Sequence, residues 1–335
     1  MASDRARECF SYVLSILLGE DWERHCPPDA LRYAPPETLS ASAAGLCIVP
    51  SGFFGQDYGK STSMPALPLK EIEGVPLLFG TPQIERRGNL LVVYADIIAS
   101  TYFMVTRYEE MVRRDVRDEH GRFPGRESLA YRAGFLDRPI VEEYACLLRR
   151  WLRLVGVDVP EPTRTFSLLL THDVDAIRRY GHRLQPFRTT ASALLRRQPL
   201  RNIPQAWMVA LGMQRDPFDT FDDMITMDAA RSSVPRHSVY FLMAGGNTPH
   251  GGAYDIRSKR VKRIIDKIIR SGAKIGLHAS YEAGMHPERI ASERATLREI
   301  SGLPIHQNRH HFLAWREIED GVCSTSGLHK LPRTW

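Results

Sequence analysis

Short apolar runs alternate with helical periodicity along the second half of the chain, and this alternation constrains the fold more than any other feature. A helix between two short strands is typical of parallel sheets, because a parallel connection needs a crossover of about a dozen residues. We therefore expect a parallel sheet or barrel with reactive groups at the carboxyl ends of its strands. The predicted strands are 166–170, 238–243, 274–277 and 305–312, and the predicted helices are 220–231, 259–270 and 287–300.

The first 160 residues carry a different pattern, which predicts an N-terminal α/β domain of unknown role. Helical periodicity covers 6–18, 96–113 and 140–154, and apolar runs at 46–49 and 90–93 predict strands. A proline-containing segment at 157–162 indicates a linker, so we place the domains at 1–160 and 161–335. Because a (β/α) barrel closes over roughly 250 residues, the second domain is predicted to be an incomplete (β/α) barrel.

Composition places the chain among globular proteins, with 43% hydrophobic and 25% charged residues. The formal net charge is +6, but the basic residues are scattered among 39 acidic ones, so we expect no nucleic-acid partner. No apolar run approaches the roughly 18 residues of a membrane span, so we expect that the protein is not an integral membrane protein. The apolar run at 12–18 is short and is followed by acidic residues, unlike a signal peptide, which predicts a cytoplasmic protein.

Two carboxylates follow the first predicted strand of the second domain, in the segment Thr171-His172-Asp173-Val174-Asp175. Side chains at i and i+2 share one face of an extended strand, so Asp173 and Asp175 are expected to lie close together. One of them would then bind a metal while the other holds a water. The alternative is that these aspartates cap a following helix.

Two further polar clusters follow the later predicted strands. His278 directly follows the strand at 274–277, and Glu282 lies four residues further on, which can bring an imidazole and a carboxylate to one centre. His310 and His311 lie in the predicted strand 305–312, where adjacent side chains point to opposite faces. Each histidine alone is also compatible with a structural role, in which one of the two adjacent histidines is simply exposed to solvent. Three polar clusters at three strand ends together favour a metal-assisted hydrolytic site.

These three segments, THDVD, GLHASYE and RHHF, resemble the first three motifs of the polysaccharide deacetylases, which have the NodB-homology fold of carbohydrate esterase family 4. The first 160 residues also resemble the N-terminal domain of one bacterial subgroup of that family, through DIIASTYFMVTRYEE, HGRFPGRESLA and RPIVEEY. That subgroup accompanies surface-polysaccharide or capsule biosynthesis. The resemblance extends over the chain to about residue 319.

The resemblance implies a role for each matched residue. Asp173 matches the catalytic base that deprotonates the attacking water, and Arg309 matches the arginine that orients this base. Asp175 and His278 match ligands of a divalent metal, usually zinc. The implied reaction is metal-assisted attack of water on the acetyl carbonyl of an N-acetylated, or O-acetylated, bacterial polysaccharide, oligosaccharide or precursor.

Glu282 stands where the family has its second histidine ligand, which leaves the third metal ligand open. The candidates are Glu282 itself, His311 from the neighbouring strand end, or Ser280 together with water. We favour His311, because imidazole suits zinc.

Substrate contacts are assigned to Ser280, Tyr281 and Trp315, since aromatic planes stack on sugar rings, although aromatic residues are more often part of a core. The family's catalytic acid has no recognisable match in this sequence, and His329 resembles its motif only loosely. The alternative function is therefore a truncated, inactive deacetylase-like protein that binds metal or carbohydrate without turnover.

Overall fold

The computed structural model describes residues 4–40, 42–180, 185–196, 202–230, 234–245, 254–284, 286 and 288–313. The chain divides into two units, Met1–Arg164 and Thr165–Trp335, each with its own four-stranded sheet and its own main buried apolar cluster. The α/β class predicted from the sequence is therefore confirmed at this level. His329 and Trp315 lie outside the described residues.

The first unit combines helices with short strands. In chain order its elements are α1 (Asp4–Leu18), β1 (Leu31–Tyr33), β2 (Gly45–Ile48), β3 (Lys70–Ile72), β4 (Val75–Leu77), β5 (Gly80–Arg87), β6 (Leu90–Ala95), α2 (Ile97–Val105), α3 (Tyr108–Val112), α4 (Leu129–Arg132) and α5 (Ile140–Arg153).

The sheet of the first unit has the strand order β1-β2-β6-β5, in which β1, β2 and β6 are parallel and β5 is antiparallel to β6. The apolar strands β2 and β6 are buried along nearly their whole length, as expected for parallel strands covered on both faces. The polar strand β5 is mostly exposed at the edge. Because β5 is polar, it contains no apolar run, and for this reason no strand was predicted there from the sequence.

The helix predicted over 96–113 is interrupted, which corrects the expectation of one continuous buried helix. Arg107 separates α2 from α3 and adopts a left-handed conformation with φ 55°. The break redirects the chain so that Tyr108 is buried, with its hydroxyl hydrogen-bonded to the Ser63 hydroxyl at 2.6 Å. Tertiary packing of the tyrosine therefore overrides the helical periodicity of the segment.

The second unit contains the predicted alternation of strands and helices. Its elements are β7 (Leu168–Val174), α6 (Gln185–Arg196), α7 (Asn202–Ala210), α8 (Phe221–Asp228), β8 (Arg236–Leu242), α9 (Lys259–Arg270), β9 (Lys274–Ala279), α10 (Glu288–Ser301) and β10 (Asn308–His310). The strand order is β10-β9-β8-β7, and every neighbouring pair is parallel, which confirms the predicted parallel sheet.

Strand β7 runs four residues beyond its predicted end at residue 170. Thr171, His172 and Asp173 pair in register with Val239, Tyr240 and Phe241 of β8, and this pairing holds the polar segment in the sheet. Asp173 is therefore part of the strand, whereas Asp175 follows its end.

The two faces of this sheet carry different residue types because side chains alternate along each strand. One face joins the buried apolar cluster through Val174, Tyr240, Leu242, Ile275, Leu277 and Ala279. By the same alternation, the opposite face carries Thr171, Asp173, Phe241, Gly276 and His278. The strand residues predicted to carry the chemistry, Asp173 and His278, thus lie on the face that does not form this core.

Candidate functional site

The polar residues predicted from the three motifs meet at the carboxyl ends of the parallel strands. Asp173 lies near the end of β7, His278 near the end of β9, and Arg309 in β10. Asp175 and His311 each follow directly on the last residue of a strand. Parallel strands present their carboxyl ends at one edge, so residues distant in sequence converge there.

Asp175, His278 and His311 form a compact group of potential ligands. The Nε2 atom of His278 lies 3.2 Å from Oδ1 of Asp175 and 3.1 Å from Nδ1 of His311. The Nδ1 atom of His311 lies 3.5 Å from the same Asp175 oxygen. All three ligand atoms lie within 4.8 Å of one another. Two imidazole nitrogens and one carboxylate oxygen are a donor set that suits zinc.

A main-chain carbonyl determines which nitrogen of His278 faces this group. Nδ1 of His278 lies 2.9 Å from the carbonyl oxygen of Arg309. A carbonyl oxygen only accepts hydrogen bonds, so Nδ1 of His278 is the donor, and Nε2 is the ring nitrogen that faces Asp175 and His311. This outer hydrogen bond is the arrangement that orients histidine ligands in metal sites.

The group is buried on one side and open on the other. The His278 side chain is 3% exposed, whereas the Asp175 side chain is 59% exposed. Three protein ligands with an open side are typical of catalytic zinc sites, whereas structural sites are closed by four protein ligands. The residues present therefore fit a divalent cation with room for a water or a substrate oxygen.

Asp173 does not join this group but is held beside it by Arg309. Nη1 of the arginine donates to Oδ1 of Asp173 at 3.0 Å, and Nη2 donates to the hydroxyl of Thr171 at 3.0 Å. The two bonds orient the guanidinium along β7, and the charged partner makes the bond to Asp173 a strong one. Thr171 was not singled out from the sequence, although its spacing of two from Asp173 places it on the same face.

Glu282 lies outside the ligand group that the structure brings together. It belongs to the short 3₁₀ turn Tyr281–Gly284, and its Oε2 is buried without a hydrogen-bond partner among the described residues. Of the alternatives for the third ligand, the geometry therefore favours His311.

Ser280, expected to contact substrate, is instead buried within the fold. Its hydroxyl and its main-chain N–H both donate to the carboxylate of Glu293. Burial raises the pKa of Glu293, and the two bonds from Ser280 partly oppose this shift. Glu293 carries no sequence signal of this role, since it resembles any charged residue of an amphipathic helix.

The remaining aromatic and histidine candidates have separate surroundings. The ring of Tyr281 packs edge-on against Phe312 with centroids 5.4 Å apart. His310 is buried rather than exposed, which corrects the expectation that one of the two adjacent histidines faces solvent. Burial lowers the pKa of His310 to about 4.

Comparison with known proteins bears on the first unit. Residues 10–156 match DUF7033, a family of unknown function. No curated protein matches the chain. Within the described part of the chain, no helix combines the length and the apolar character needed to cross a membrane. The candidate site lies outside the matched residues.

Proposed function

We propose that this protein is a metal-dependent deacetylase of an N-acetylated, or O-acetylated, bacterial polysaccharide or its precursor. The observation that carries the proposal is that a set of potential metal ligands and an arginine-bound carboxylate lie at the same edge of the sheet. The ligands Asp175, His278 and His311 converge there, and a carboxylate held by an arginine lies beside them. The resemblance to polysaccharide deacetylases implies a metal site beside an arginine-bound base, and His311 would take the place of the family's second histidine ligand, whose position is Glu282 here. We interpret the parallel sheet as part of the barrel of that family.

Asp175, His278 and His311 would hold the metal, with Nε2 of His278 directed by the carbonyl of Arg309. A bound zinc ion would supply polarisation of the acetyl carbonyl and a lowered pKa of the attacking water. The open side at Asp175 would admit the acetyl group, because the coordination there is not closed by protein.

Asp173 would accept the proton of the attacking water. Arg309 binds its Oδ1, so we assign the proton transfer to Oδ2. A general base must be within hydrogen-bond reach of the proton it removes, and the arginine keeps the carboxylate from turning away. Thr171 fixes the other end of the guanidinium and so limits the orientations of the arginine.

The test measures zinc affinity by titration calorimetry and acetate release from an acetylated chito-oligosaccharide. Wild-type protein is expected to bind about one equivalent of zinc and to release acetate. Asp173→Asn is expected to keep zinc and lose at least about 100-fold in rate. His278→Ala is expected to lose both.

Two matched controls separate these effects from general damage. His286→Ala and Asp222→Asn alter exposed residues of the same unit that lie outside the ligand group, and both are expected to behave as wild type. Zinc binding without acetate release would instead support the inactive, metal-binding alternative. Absence of zinc binding in the wild type would overturn the site as described.

A further inference from the structure

An aromatic ring lies beneath the guanidinium that holds the candidate base. Phe241 in β8 is fully buried, and its ring centroid is 4.8 Å from Cζ of Arg309. Strand β10, which carries the arginine, is separated from β7 by both β8 and β9. At the usual strand spacing these outer strands stand about 14 Å apart, so the arginine side chain must extend over the middle of the sheet to reach Asp173.

A glycine makes room for this ring. Gly276 of β9 pairs in register with Phe241. A Cβ atom at Gly276 would lie 2.6 Å from Cδ1 and Cε1 of the phenylalanine ring, closer than side-chain atoms tolerate. Any other residue at 276 would therefore displace the ring toward the guanidinium or out of its present position.

We propose that Phe241, packed against Gly276, is a positioning residue that holds the Arg309 guanidinium in the orientation in which it binds Asp173 and Thr171. The placement of the arginine follows from the geometry alone, whereas its effect on turnover rests on the proposed deacetylase function. The ring offers its negative face to the cation, an attraction that strengthens where water is excluded. The hydrogen bonds to Asp173 and Thr171 fix the direction of the Arg309 guanidinium, and the Phe241 ring fixes the orientation of its plane.

The first test replaces Phe241 with phenylalanines carrying one, two and three fluorine atoms. Fluorine withdraws electron density from the ring face at nearly constant size, so packing is kept while the cation–π attraction falls stepwise. The readout is the order parameter of the Arg309 Nε–H group from ¹⁵N relaxation, with the signal assigned by its loss in Arg309→Met. We expect the order parameter to fall along the series, with zinc affinity unchanged.

The second readout is steady-state acetate release. We expect kcat to fall with each fluorine and by about tenfold in Phe241→Leu, with KM unchanged. Gly276→Ala is expected to reproduce the loss of Phe241→Leu, and the double variant to lose little more. Phe221→Leu is the matched control, because it removes a buried ring from the apolar cluster on the opposite face of the sheet, to which Phe241 does not belong. It is expected to keep wild-type values in both readouts.

The two proposals fail in distinguishable ways. If wild-type protein releases no acetate, the deacetylase function fails, and the Arg309 order parameter alone decides the role of Phe241. An order parameter that stays constant through the trifluorinated ring would overturn that role. A kcat that stays constant along the series in an active enzyme would also overturn it. Because the fluorinated residues preserve ring size, the result holds even if Phe241→Leu fails to fold.

Discussion

Arg309 and Asp173 stand on the two outer strands of a four-stranded parallel sheet, yet Nη1 of the arginine lies 3.0 Å from Oδ1 of the aspartate. The main-chain carbonyl of the same arginine accepts the hydrogen bond from Nδ1 of His278. One residue therefore orients the candidate base with its side chain and a candidate metal ligand with its backbone. Since a substitution removes only the side chain, the two roles can be separated by experiment.

Arg309→Met is expected to lower kcat for acetate release by about 100-fold while zinc affinity stays within about threefold of wild type. The carboxylate of Asp173 loses the hydrogen bond from the arginine side chain, but the main-chain carbonyl that orients His278 remains. Steady-state kinetics and zinc titration on the same preparation measure both. Arg257→Met, which breaks an exposed ion pair with Glu299, is the control. Parallel loss of zinc and activity in Arg309→Met would show that the two roles cannot be separated.

His311→Ala is expected to weaken zinc binding by more than about 100-fold, because even residues behind the ligands typically contribute 10- to 100-fold. Glu282→Gln is expected to leave zinc affinity unchanged, since Glu282 lies outside the ligand group. Titration calorimetry of the two variants decides whether His311 or Glu282 is the third metal ligand. The opposite outcome, with zinc lost in Glu282→Gln and kept in His311→Ala, would assign the third ligand to Glu282.

Zinc is expected to stabilise the folded second unit. Ligand binding to the folded state alone contributes about 2.7 kcal/mol at a free concentration one hundred times the Kd. The rise in Tm on adding zinc should vanish in His278→Ala and persist in His286→Ala. Differential scanning calorimetry with and without a chelator measures it, and a rise that survives in His278→Ala would place the zinc elsewhere.

The buried carboxyl of Glu293 is expected to make the second unit less stable as pH rises. Burial raises its pKa above the ordinary value of 4.5, so the folded state binds a proton that the unfolded state has already lost. This contribution is fully present below pH 4.5 and declines as pH rises through the folded pKa. Glu293→Gln should remove it.

Hydrogen exchange of the β9 amides reports the local stability needed for this comparison, since a chain of two units need not unfold in one step. The difference between wild type and Glu293→Gln is taken at each pH from 4 to 7. Glu288→Gln, at the first residue of the same helix, is the control. A difference independent of pH would contradict the prediction.

Asp96→Ala is expected to destabilise the first unit by about 3 kcal/mol. This fully buried aspartate caps α2 through Ala99 N–H and also accepts bonds from Ser51 N–H and the Tyr33 hydroxyl. Alanine would leave those donors without their acceptor. The partly exposed cap Ser128 of α4 is the comparison, where alanine should cost about 1 kcal/mol. Hydrogen exchange of β6 amides measures both, and equal losses would contradict the role of burial.

The amino-acid sequence predicted the parts of the fold that depend on neighbouring residues. Helix α9 has the predicted bounds, because apolar residues recur at helical spacing between Ser258, which caps its start, and Gly272. Strand β7 was predicted too short, since its last residues are polar and only pairing with β8 keeps them extended. Helices α6 and α7 lie where no element was predicted.

The sequence by itself determined the parallel α/β architecture and the three motifs that supply the site, because apolar periodicity and strand-end polarity are local properties. Only the tertiary structure decided which residues meet. It brought His311 rather than Glu282 close to His278. It also buried Ser280 in hydrogen bonds to Glu293. Finally, it packed the Phe241 ring between Gly276 and the Arg309 guanidinium. Asp173 and Arg309 are 136 residues apart. No local pattern encodes such a contact, since it depends on strand order, register and the absence of a side chain at one glycine.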